Sequence, residues 1–205
     1  FKQKTAYEIP LRLVGSEMCI RDRTESTPNP ATLKFLPGHT VLQNGTADFP
    51  SRANSDKSPL AKRIFSVEGV TGVFFGSDFI TVTKESDTEW EHIKPAILGV
   101  ILEHFQSGDP TLLEENAEKN HMEHDGPDAE IVNKIKELLD TRVRPAVAQD
   151  GGDITFHGYE SGIVYLHMQG ACAGCPSSTM TLKMGIENLL KHFIPEVQEV
   201  RPIAA

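Results

Sequence analysis

The sequence predicts an α+β fold: two small α+β domains joined by an acidic linker. Three observations carry this. Short alternating apolar–polar stretches and stretches of helical spacing occur together in both halves of the 205 residues. Charge divides the chain: residues 24–107 carry 7 basic and 10 acidic side chains, 108–128 carry 1 and 7, and 129–205 carry 7 and 9. The middle stretch runs from Gly108-Asp109-Pro110 through Glu114, Glu115, Glu118, Glu123 and Asp125 to Gly126-Pro127. It repels itself and has little to bury, so it should be extended or loosely helical. The flanking segments, about 80 residues each, lie in the size range that folds independently.

The first domain (24–107) opens with a strand, in which Leu33 and Phe35 alternate with Thr32 and Lys34 until Pro37-Gly38 stops the run. Residues 39–57 are polar and specify no clear element. Ser58-Pro59 supplies an N-cap and a proline at the first helical position, followed by the short apolar stripe Leu60, Ala61, Ile64 and Phe65. Val70 to Thr83 reads as a hairpin turning at Gly76-Ser77-Asp78. A longer helix carries Trp90, Ile93, Ile97, Ile101 and Phe105, with Pro95 either kinking it or delaying its start.

The second domain (129–205) starts with a helix after Pro127-Asp128, with Ile131, Val132, Ile135, Leu138 and Leu139 on one face and an end or bend at Arg144-Pro145. Gln149-Asp150-Gly151-Gly152-Asp153 is a turn: both glycines permit positive φ, and Asp150 and Asp153 are expected to cap it rather than to act at a site. Strands at 153–159 and 163–168 are joined through Ser161-Gly162, and Gln169 to Cys175 forms a loop of small residues. Pro176 opens a helix to Phe193, whose core stripe is Leu182, Ile186, Leu189, Leu190 and Phe193. Pro195 stops it, and Val197 to Val200 gives a last strand. The order is α-β-β-α-β.

Residues 1–23 stand apart. The run Val14-Gly15-Ser16-Glu17-Met18-Cys19-Ile20-Arg21-Asp22-Arg23 resembles translated sequencing-adapter read-through and has neither helical nor strand period. The segment is expected to be non-native, so Cys19 carries no function and the compartment cannot be read from this end.

A net charge of −9 argues against a nucleic-acid or anionic-membrane binder. No apolar run approaches the ~18 residues of a membrane helix. Three cysteines are too few for a disulfide scaffold, and two of them form Cys172-x-x-Cys175, which reads as metal or redox chemistry in a reducing compartment. Such a loop aims both sulfurs the same way. Pro176 leaves Cys175 near the N-cap of the following helix, so both thiols are expected to have lowered pKa values.

Spacing alone leaves three readings open. A thioredoxin-like pair would follow the first strand of a βαβ unit, with an aromatic before it; here an antiparallel hairpin precedes. A zinc site wants four ligands, and only His157 and His167, both in strands, are at hand to add to the two thiols. An iron–sulfur cluster also wants four thiolates, so two chains would share it across a symmetric interface.

Asp150-Gly151-Gly152-Asp153-Ile154, the strand pair, and Gly170-Ala171-Cys172-Ala173-Gly174-Cys175-Pro176-Ser177-Ser178 resemble the NifU C-terminal (Nfu-type) domain. Thr27-Pro28-Asn29-Pro30-Ala31-Thr32-Leu33-Lys34-Phe35, with Phe49 and Ser58-Pro59-Leu60-Ala61, resemble the N-terminal domain of mitochondrial and related bacterial Nfu proteins. The resemblance implies a non-enzymatic iron–sulfur carrier or scaffold. Cys172 and Cys175 of two protomers would hold a [4Fe-4S] cluster, or a [2Fe-2S] cluster on the same thiolates, and pass it from upstream donors to apo-protein clients. It further implies the cytoplasm of a bacterium or the mitochondrial matrix of a eukaryote. Two ligands per chain suit release by stepwise thiolate exchange. A dimeric zinc-binding module and a thiol–disulfide redox protein are the alternatives.

Weaker features carry bland readings beside sharper ones. Met180 and Met184 share a helical face nearly opposite the core stripe; they are peripheral, or they line a protomer contact. His121-x-x-His124 reads as solvated linker before it reads as a metal pair. The first domain offers no chemistry of its own and falls to docking of clients or donors.

Overall fold

The computed structural model describes the backbone of residues 24–113, 128–173 and 176–203, and the side chains of these except 176–179. The architecture is α+β in both halves.

In the first domain, strands β1 (Thr24–Ser26), β2 (Thr32–Phe35), β3 (Ala47–Phe49), β4 (Val70–Phe75) and β5 (Ile80–Lys84) form one antiparallel sheet in the order β1-β2-β5-β4-β3. Helices α1 (Pro59–Ile64) and α2 (Trp90–Ser107) pack on one face of it. Period-2 alternation sends Phe35, Ile80 and Phe75, which lie in register, into that core with Val82 and Val73. Leu60 and Ile64 of α1 and Ile93, Ile97 and Ile101 of α2 fill the other side. The cap before α1 forms as expected: Ser58 Oγ accepts the Ala61 N–H at 3.0 Å and donates to the Thr111 carbonyl at 2.6 Å.

Two features of this half were not legible in the sequence, and the pattern leaves a third open. The edge strands β1 and β3 are three residues long and exist because β2 and β4 pair with them. A 3₁₀ turn over Arg52–Lys57 leads into α1. Helix α2 starts at Trp90 and runs through Pro95, because the inner stripe of isoleucines outweighs one lost backbone hydrogen bond; Gly108, at φ 72°, stops it. The beginning of the acidic stretch folds back on this domain: Leu113 N–H donates to the Lys57 carbonyl at 2.9 Å, and Arg63 pairs with Asp109 at 2.7 Å. Residues 114–127, with His121 and His124, lie outside the described residues.

In the second domain, α3 (Ala129–Leu138) continues through a π-helical turn (Leu139–Val143) into α4 (Arg144–Gln149). Arg144-Pro145 therefore does not end the helix. The wide turn just before it absorbs the missing Pro145 N–H, while Leu139, Val143 and Val147 stay buried. Strands β6 (Gly152–Glu160) and β7 (Ile163–Gly170) form an antiparallel hairpin with a bulge between Phe156 and Gly158. Helix α5 (Pro176–Phe193) then returns the chain to β8 (Glu199–Ile203), which lies parallel to β7. The last strand begins two residues later than the sequence suggests, since Val197 is buried in the turn before it. Ile186 and Leu190 of α5 are buried as expected, but Phe193 is not core: it is 47% exposed, under the Arg142 guanidinium at 5.2 Å. Ile194, one residue on, fills the inner position. Met180 and Met184 are exposed.

Candidate functional site

The Gly-Gly turn and the cysteine loop are built as one unit. Gly151 takes a left-handed φ of 82° just after α4, and its N–H closes onto the Ala148 carbonyl at 3.1 Å. Its own carbonyl accepts the Ala171 N–H at 3.1 Å. Gly170 ends β7 at φ 59°, and the Cys172 and Ala173 amides turn back to the Gln169 and Gly170 carbonyls.

Gly152 is different from what the sequence suggests. Its φ is not positive, and it is glycine for room: a Cβ there would lie 2.5 Å from Cys172 Sγ and 2.8 Å from the Gln169 oxygen. The first glycine makes the turn, and the second lets the cysteine sit against β6.

Asp153, 3% exposed, fixes the base of the turn. Its carboxylate takes Arg144 Nε and Nη2 at 2.8 Å each and the Ile154 N–H at 2.8 Å. This pairing holds the Arg144 guanidinium firmly charged. Asp150 is exposed. Asp153 thus ties Arg144 and the start of β6 to the base of the turn.

Cys172 is 5% exposed and belongs to the second core, beside Ile154 and Met168. Burial, and then the negative charges of Asp150 and Asp153, push its thiol up to about 12. This corrects the expectation of a lowered pKa for Cys172: the side chain enters the core, and two carboxylates add to the effect of burial. Helix α5 does begin at Pro176, but Cys175, the residue before it, lies outside the described residues. So does Cys19. His157 is exposed on β6; His167 on β7 bonds Gln169 at 3.2 Å, and burial, followed by the charge of His157, keeps its ring below the usual histidine range. Among the described residues no group of three or more His, Cys, Asp or Glu side chains is placed to hold a metal ion.

The unexpected contributors come from the first domain. Lys34, Thr81, Phe74 and Asp48 stand side by side in register across β2, β5, β4 and β3, on the face away from the first core. Lys34 Nζ donates to the Gln149 carbonyl at 3.0 Å, at the end of α4. Thr81 Oγ1 donates to the Gly151 carbonyl at 2.6 Å. Phe74 lies against Gly170, where a Cβ would meet its ring at 2.8 Å. Burial raises the Asp48 carboxyl to about 6, against the smaller lowering effect of the Gly170 and Phe49 backbone amides. Beside this row, Asn29 Nδ2 donates to the Ala173 carbonyl at 2.9 Å, inside the CxxC loop, and Thr46 Oγ1 donates to Asp153 at 3.0 Å. Asn29 and Lys34 both belong to the Thr27–Phe35 run that carries the family resemblance, but nothing in that run pointed to a contact with the cysteine loop.

Residues 22–108 match the family described as scaffold protein Nfu/NifU N terminal, and residues 135–201 match the NifU-like domain. The chain is 53% identical over 184 residues to the NFU1 iron-sulfur cluster scaffold homolog, mitochondrial, of Drosophila sechellia; the match covers 88% of this chain and 64% of that protein. The protein of the same description in Drosophila willistoni is 52% identical over 196 residues, covering 94% of this chain and 67% of its own length. A solution structure of a NifU-like protein from Saccharomyces cerevisiae is 27% identical, with a TM-score of 0.41, over 45% of this chain and 83% of that one. The chain belongs to the Nfu family of iron–sulfur cluster scaffold proteins.

Proposed function

We propose that this chain carries a [4Fe-4S] cluster between two protomers, each giving Cys172 and Cys175, and delivers it to apo-proteins. The observation that carries the reading is the Cys172-x-x-Cys175 pair, set in the sequence between an antiparallel hairpin and the start of α5 in a chain that matches the NifU-like domain there. Two soft thiolates per chain make half of a four-thiolate set, and a second chain completes it. The cluster is cargo rather than a resident catalyst. A ligand set split across an interface lets an incoming client thiolate displace one cysteine at a time. The cysteines act as ligands, so the protein is a carrier and not an enzyme.

In this proposal residues 129–205 bind the cargo, 24–107 dock donors or clients, and 108–128 join them. The relatives are described as mitochondrial, which favours the mitochondrial matrix for a eukaryotic source. No helix among the described residues is long and apolar enough to cross a membrane, and the net charge of −9 disfavours nucleic acid as a partner.

Anaerobic reconstitution of the chain, with Cys172→Ser and Cys175→Ser alongside, tests this. About four irons and four sulfides per dimer, lost in both variants, is the expected result. About half that content, on the same four thiolates, would assign a two-iron cargo. A protein that stays colourless, or takes up zinc alone, would overturn the reading.

A further inference from the structure

We propose that the outer face of the first domain's sheet is a docking platform for the cysteine loop, and that docking there excludes cluster binding, so the protein carries its own cover. The proposal rests on the cluster-carrying reading and adds a state to it.

The platform is made for this partner. A sheet with one face on its own core normally turns polar side chains to water on the other. Here the outer row is buried instead: Phe74 is 1% exposed, Thr81 1% and Lys34 8%. Phe74 is in neither domain's core, so its burial comes from Phe79 beside it and from Gly170 across the gap. Polar groups of the row reach backbone atoms of the two segments that form the loop: the Gln149 and Gly151 carbonyls and, through Asn29 beside the row, the Ala173 carbonyl, while Lys34 also pairs with Glu25 of β1 at 3.1 Å. These atoms bracket Cys172 on both sides in sequence. These bonds are made to backbone atoms that the positive φ of Gly151 and Gly170 places there. A cluster shared with a second chain needs the loop turned outward to that chain; the docked loop instead faces the first domain, with Cys172 inside its own core.

The full chain, cluster-free and reduced, tests the docking. The test variant is Phe74→Ala with Lys34→Ala. The control is Val73→Ala, whose side chain is on the other face of the same strand, in the first core. Two quantities are read: amide hydrogen exchange over 150–153 and 170–173, and the iodoacetamide alkylation rate at Cys172, localised by tandem mass spectrometry. The platform variant should raise both at least tenfold while α1 and α2 keep their exchange protection; the control should leave both within about twofold. Unchanged loop exchange and alkylation in a folded platform variant overturn the docking. Anaerobic loading of the same proteins then tests the exclusion: the platform variant should acquire the cluster several-fold faster than the parent, and equal rates overturn it. If no protein loads, the carrier reading fails, and the exchange data still judge the docking by themselves.

Discussion

Adding one methyl group at Gly152 tests whether the second glycine of the turn exists to make room for the cysteine. The backbone there is not in the left-handed region, so alanine brings no conformational strain. It should even gain about 0.4–1 kcal/mol by restricting the unfolded chain. Against this, its Cβ would lie 2.5 Å from Cys172 Sγ, 2.8 Å from the Gln169 oxygen and 2.9 Å from the Cys172 nitrogen. Ordinary contacts start near ~3.5 Å, so about 1 Å of movement is needed. Two of the three atoms are backbone and cannot rotate away. Overpacking of this kind costs about 1–3 kcal/mol, and with two backbone atoms in the way the upper half of that range applies, which leaves a net loss of about 1–2.5 kcal/mol after the unfolded-state gain. Urea denaturation should show that loss, and anaerobic reconstitution should show reduced iron per dimer, because the displaced group is the proposed ligand. Gly45→Ala is the control: its φ is 73° and nothing lies within 4 Å of the added carbon. It should cost about 1 kcal/mol of backbone strain and leave iron uptake intact. A Gly152→Ala protein as stable as the parent, with full iron content, would refute the steric reasoning.

The Asp48 carboxyl is raised from 3.8 to about 6 by burial, so the folded protein holds a proton there that the unfolded chain has lost. Stability from this group is complete below pH ~4 and falls as pH rises through 6, by about 2 kcal/mol once partial exposure is allowed for; denaturation of the parent and Asp48→Asn from pH 4 to 7 should show the variant lacking that part of the slope. His104 is fully buried on α2 with neither ring nitrogen hydrogen-bonded, and burial lowers its pKa; His104→Leu should stabilise the protein by about 1 kcal/mol or more in urea at pH 7, and a loss would show that an unrecognised partner holds the ring. Met180 and Met184 are exposed on α5; replacing both with Glu should weaken the cluster-loaded dimer in light scattering, and an unchanged dimer removes them from the protomer contact.

Much of the fold could be read from local pattern. The hairpin at Gly76-Ser77-Asp78, the Ser58-Pro59 cap and the α-β-β-α-β order of the second half follow from turn chemistry and periodicity, which act over a few residues. The misses have a common cause. β1 and β3 are too short to carry a pattern and are made by their neighbours. Pro95 and Pro145, which the pattern left free either to end or to bend their helices, sit inside helical runs because tertiary burial of Ile93, Ile97, Val143 and Val147 offsets the lost amides. Phe193 gave up the core to Ile194 because a helical stripe drifts, and its end is decided by what it packs against.

The sequence by itself determined the fold class and the order of the two family domains, and it singled out Cys172 and Cys175 as the pair to test, since residue type and local pattern suffice for those. The tertiary structure decided the state of Cys172. Its place in the second core, the two carboxylates near it and the first domain's outer row on its loop all depend on residues tens of positions away. A strand pattern tells which face of a sheet is polar; only packing shows whether that face meets water or, as with Lys34, Thr81 and Phe74, another domain.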